Sequence, residues 1–107
     1  MSYTVHLTDA ARRDLLEISR YIAETLRSPL NAASQLTRLE QDIASLRQMP
    51  ERFRVYDHKD WPQRNLRMMP VDHYLVFYTP NRNEQTVTVL RVFYGGRDID
   101  SQLDTLE

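Results

Sequence analysis

The chain has 107 residues, 41% of them hydrophobic and 27% charged, enough for a single domain with one modest core. No apolar run approaches the roughly 20 residues of a membrane span, and Met1–Thr8 lacks the basic-then-apolar order of a signal peptide, so a cytoplasmic protein is expected. With no cysteine, disulfides and thiolate metal sites are excluded.

The formal charge of −1 is unevenly spread. Asp98, Asp100, Asp104 and Glu107 lie in a terminal stretch with no base after Arg97; without those four acids the remainder is +3. Lys59 is the single lysine, so the other 13 bases are arginines, suited to bidentate phosphate or carboxylate contacts. A net charge this small does not announce a nucleic-acid ligand.

Tyr3, Val5 and Leu7 alternate with Thr4 and His6, which predicts a strand with one buried face. Thr8 or Asp9 can cap a helix over about 9–27, whose apolar stripe is Ala11, Leu15, Ile18, Ile22 and Leu26. Arg13–Glu17 and Arg20–Glu24 have i,i+4 spacing on its wet side. Ser28-Pro29 ends this helix and caps a second, with Leu36, Leu39, Ile43 and Leu46 inward and Met49-Pro50 as the stop. Two helices joined this tightly pack antiparallel.

Residues 51–63 show no period and read as a loop. Strands are expected over about 64–69, 71–79 and 85–94, with a turn at Pro80–Asn83. The middle strand sets Tyr74, Val76 and Tyr78 against Leu75 and Phe77. Ile99, Leu103 and Leu106 give the acidic tail, 97–107, an apolar seam able to dock. The expected fold is α+β, in the order β-α-α-β-β-β. A helical hairpin covers one face of a small antiparallel sheet, and the other face is open or covered by a partner.

Four stretches carry a family resemblance: ARRDLLEISRYIAE, SPLNAASQLTRLEQDIASLRQMPERFR, NLRMMPVDHYLVFYTP and VTVLRVFYGGRD. Their order, over about residues 3–98, resembles toxins of the RelE/ParE superfamily of type II toxin–antitoxin systems. The resemblance implies a small toxin neutralised by a cognate antitoxin that wraps it. RelE-like members cut mRNA in the ribosomal A site, whereas ParE-like members inhibit DNA gyrase.

For a metal-independent nuclease, the resemblance points to Arg97, just after the last strand, and to Arg67. Tyr94 and His73 are further candidates. A fixed guanidinium offsets charge building on a pentacoordinate phosphate, and a histidine is the usual base near neutral pH. Nuclease members show two lysines near Arg67 and an arginine after the strand tyrosine; here Leu66, Met68 and Met69 surround Arg67, and Leu75 follows Tyr74. These departures favour a ParE-like inhibitor of a protein target such as gyrase over an mRNA endonuclease, as does the near-neutral charge.

Arg52, Arg54, Lys59 and Arg64 interleave with Phe53, Tyr56 and Trp61, a pattern able to grip phosphate and stack bases. Arg54, Trp61 and Arg64, together with Arg91, are candidate contacts for target or antitoxin. Arg91 interrupts an apolar strand on the face expected for Val87, Val89 and Phe93, so it must meet a carboxylate or lie in the open. His6, His58 and His73 match no metal spacing and are expected at the surface. No metal or organic cofactor is expected.

Overall fold

The structure, a computed structural model, describes residues 2–96 and 98–106. Strand β1 is Thr4–Leu7, helix α1 Asp9–Arg20 and helix α2 Pro29–Ala44. Strands β2 (Arg67–Val71), β3 (Tyr74–Asn81) and β4 (Thr86–Tyr94) follow, then a short helix α3, Ile99–Leu103. The sheet order is β1-β4-β3-β2. β2, β3 and β4 form the expected antiparallel meander, and β1 joins it parallel to β4. No described helix is long and apolar enough to cross a membrane.

Thr8 caps α1: its Oγ1 accepts from the Ala11 N–H at 3.0 Å and donates to the Leu90 carbonyl at 2.9 Å. Ala11, Leu15 and Ile22 are buried as expected, but Leu26 is 57% exposed. A π-helical turn over Tyr21–Thr25, closed by Leu26 N–H to the Tyr21 carbonyl at 3.1 Å, inserts a residue and rotates the stripe. Neither expected i,i+4 pair closes among the described residues. Ser28 precedes α2 without a side-chain cap bond, leaving Pro29 at the first turn to set its start.

The expected strand at 64–69 moves to 67–71, because a 3₁₀ turn spans Trp61–Arg64 and Asn65 takes a left-handed conformation with φ 62°. Pro80 stays inside β3, buried and opposite Val87, so the hairpin turn follows Asn81.

Leu39, Ile43 and Leu46 with Ala11 and Leu15 pack on Met69, Val71, Val76, Tyr78, Val87, Val89 and Val92. Tyr78 is fully buried and donates its hydroxyl to the Pro50 carbonyl at 2.6 Å, and burial pushes its pKa up to about 12.

The opposite face, expected to be open or covered by a partner, is covered by the chain itself. Phe77, Phe93 and Leu66 alternate with the helix-side residues, so both faces are apolar and both need a lid. The loop before β2 supplies Trp61 and Tyr56, and the tail supplies Leu103, 1% exposed, with Ile99 and Leu106 beside it. The tail is thus docked. His58, expected at the surface, is 9% exposed. Its Nδ1 lies 3.2 Å from Asp100 and its Nε2 3.0 Å from Asp104, which Lys59 also meets at 2.6 Å.

Candidate functional site

The candidate residues separate into two groups. Arg67 opens β2, opposite Tyr78, whereas Val71 closes β2 opposite Tyr74, which in turn faces Tyr94. Four residues of strand, roughly 13 Å, therefore divide Arg67 from the Tyr94 end. Among the described residues, Arg67 is therefore not brought beside Tyr94 and His73.

Arg67 is built into the scaffold. Its Nη1 donates to the carbonyls of Glu51 at 2.8 Å and Phe53 at 2.6 Å, and its Nε donates to Asn65 Oδ1 at 2.9 Å. Glu51 completes the cage at 3.5 Å from Nη2, and the side chain is 15% exposed. Every nitrogen of the guanidinium has a protein partner and little of the side chain reaches solvent. The same cage pins the 3₁₀ turn at Pro50–Arg52 against β2.

At the other end, Tyr94 is 51% exposed. Its ring meets the Tyr74 ring edge-on, centroids 5.9 Å apart, and lies over Gly96, where an added Cβ would sit 2.5 Å from a ring carbon. The Gly95 N–H donates to the His73 carbonyl at 2.8 Å, which ties the end of β4 to the β2–β3 turn. His73 and Tyr94 are therefore neighbours, both open to solvent. Tyr21 and Tyr94 bias the Tyr74 hydroxyl toward its neutral form, after burial as the main cause. Arg97, the lead nuclease candidate, lies outside the described residues.

Two supports for this end escaped the sequence reading. Asp72, left-handed with φ 55°, accepts from Gln35 Nε2 at 3.0 Å and from Arg38 Nε at 2.7 Å. These bonds hold its carboxyl below the usual carboxylate range and fix the turn carrying His73 to α2. The Gln-x-x-Arg spacing on α2 was the available signal. The second support is Asp14, 7% exposed on α1, whose Oδ2 accepts from the Val92 N–H at 2.9 Å where β1 no longer flanks β4.

Asp14 also answers the question posed by Arg91. Its two oxygens take Arg91 Nε at 2.7 Å and Nη2 at 3.0 Å, the carboxylate partner that burial required. Arg91 does not share the face of Val87 and Val89, because a bulge places Phe77 opposite Arg91 and Tyr78 opposite Val89. The guanidinium lies 4.6 Å over the Phe93 ring and donates to Thr105 Oγ1 at 3.2 Å, so it clamps α1, β4 and the tail.

The basic-aromatic loop also divides. Trp61 is 7% exposed within the second core, and Tyr56 stacks edge-on against Phe77 at 5.2 Å. The aromatics pack inward because the sheet's second face is apolar, and that leaves none in a row for bases. Arg54 and Arg64 remain at the surface, the latter 4.8 Å over the Trp61 ring.

Comparison with known proteins supplies the family. The solved ParDE toxin–antitoxin system from P. aeruginosa has a chain with TM-score 0.68 and 14% identity, covering 87% of this chain and 96% of its own. The RelBE2 toxin–antitoxin complex of Mycobacterium tuberculosis matches at 0.62 and 23% identity, covering 88% and 99%. The RelE–RelB complex of Pyrococcus horikoshii matches at 0.60 and 16% identity, covering 91% and 99%. At such identities these likenesses establish the fold. No curated protein matches the chain. The family model for the ParE toxin of type II toxin–antitoxin systems matches residues 5–99, and the chain accordingly belongs to the ParE toxin family.

Proposed function

We propose that the chain is a growth-inhibiting toxin that acts by binding a protein target such as DNA gyrase and is neutralised by a cognate antitoxin. The supporting observation is the separation of Arg67 from Tyr94 and His73. Cleavage through a 2′-hydroxyl needs a base, a charge-stabilising cation and an acid within hydrogen-bond reach of one phosphate. Arg67 is caged at one end of β2, and Tyr94 and His73 stand at the other. An inhibitor that binds a protein needs no such convergence.

The exposed Tyr94 end, rigidified by Tyr74, Gly95 and the Asp72 ties, offers a preformed aromatic surface of the kind that anchors protein interfaces. The antitoxin reading draws on the family and on the solved complexes that share the fold. The test is a supercoiling assay with purified gyrase. Inhibition that is lost in Tyr94→Ala and relieved by antitoxin is expected; full gyrase activity at saturating toxin would overturn the reading.

A further inference from the structure

Three tyrosines from three elements meet on the helix side of the sheet. Tyr74 opens β3 opposite Tyr94, the last residue of β4. Val92 packs in the helix-side core, and Tyr94, two residues on, points to the same face. Tyr21 follows α1 and lies roughly two turns, about 10 Å, beyond Asp14 on one side of that helix. Asp14 takes the Val92 N–H, so α1 runs along β4 toward the Tyr94 end. The approach is close: after burial, which weighs most, Tyr94 and Tyr21 both bias the Tyr74 hydroxyl toward its neutral form.

Tyr74 is partly buried against the core, and Tyr94 meets it at 72°, held in place over Gly96. Tyr21 is 54% exposed and stacks on no other ring among the described residues. Aromatic faces are thus left free beside acidic groups. Glu17 and Glu24, four residues before and three after Tyr21, are exposed and have no ion pair among the described residues. The field of Glu17 reaches Arg91, the partner of Asp14, which puts this carboxylate on the Tyr21 side of α1. The neighbouring bases do not cancel the acids. Arg38 is committed to Asp72 at 2.7 Å, and Arg20, nine residues from buried Ala11, points to the solvent side of the helix.

From this we infer that Tyr21, Tyr74 and Tyr94 form a site for an arginine side chain of the protein target, its guanidinium laid on the tyrosine faces and its fork turned to Glu17 or Glu24. That the arginine belongs to the target rests on the reading above; the site itself does not. A ring face attracts a cation within about 6 Å of its centroid. An apolar side chain would gain from the rings but would strip water from two unpaired carboxylates. A lysine brings a more strongly hydrated charge and no planar face. A guanidinium stacks and forks at once, as Arg91 does within this chain, 4.6 Å over the Phe93 ring with two nitrogens on Asp14.

The test is NMR of the full chain titrated with ethylguanidinium, an arginine side-chain mimic, against ethylurea, its uncharged isostere. Saturable shifts of the Tyr21, Tyr74 and Tyr94 ring signals with ethylguanidinium, and none with ethylurea, are expected. Tyr21→Leu, which keeps the apolar surface and removes the ring face, should weaken this binding about threefold, and Tyr21→Trp should restore it. Replacing both acids, Glu17→Gln with Glu24→Gln, should also weaken it about threefold. Equal shifts from ethylurea, or unchanged affinity in Tyr21→Leu, would overturn the site. Ethylguanidinium binding by a chain that leaves gyrase fully active would uphold the site and overturn the gyrase reading. Gyrase inhibition as strong in Tyr21→Leu as in the wild type would overturn the assignment of the arginine to the target.

Discussion

The Arg67 end of β2 and the Tyr94 end of β4 belong to one sheet, yet they are built for opposite purposes. At the first, an arginine is caged by two carbonyls, an amide oxygen and a carboxylate, with 15% of its side chain in solvent. At the second, a tyrosine half in solvent is steadied by backbone bonds and a neighbouring ring without losing its hydroxyl to a partner among the described residues. A side chain whose donors are all satisfied internally is a poor candidate for touching a ligand, however apt its chemistry. An exposed aromatic held in place is a good one. Arg91 and Trp61 fall with Arg67, and His73, Arg54 and Arg64 fall with Tyr94.

That division is broken most forcefully at Asp14. Asp14→Ala strands Arg91 and the Val92 N–H together, and should cost about 4 kcal/mol of folding stability by urea titration. Trp61→Ala opens the second core and should cost about 3 kcal/mol. Arg67→Ala leaves the Glu51 and Phe53 carbonyls without their donor, for a loss of about 2 kcal/mol. Its residual folded fraction should inhibit the target as the wild type does, measured as inhibition per folded molecule.

The smallest effect belongs to the tail. Hydrogen bonds from Lys59 and then His58 hold the Asp104 carboxyl below its usual range. A depressed carboxylate favours the docked tail fully above the ordinary value of 3.8, and that contribution is lost as pH falls through the lower folded value. Trp61 fluorescence should therefore report partial undocking only below about pH 3.8, and Asp104→Asn should remove that pH step.

The meander, the helical pair and the inward faces of β3 were legible because period 2 and period 3.6 survive in the residues themselves. What failed was a matter of single insertions. One π turn sent Leu26 into solvent, and one bulge moved Arg91 across the sheet; neither carries a glycine or proline to announce it. The closed second face was half legible: Phe77 and Phe93 demanded a cover, and Ile99, Leu103 and Leu106 offered one. Whether a tail or a partner supplies that cover depends on long-range pairing between His58 and Asp100 or Asp104, which no local pattern encodes. The cage around Arg67 was not legible, because sequence shows the presence of a guanidinium but not which carbonyls surround it.

The proposal that the chain acts on a protein target rather than on mRNA is tested most directly by mapping mRNA ends on translating ribosomes mixed with saturating purified toxin. Intact message, with gyrase inhibited by the same preparation, is the result predicted. Toxin-dependent cuts within A-site codons would contradict it.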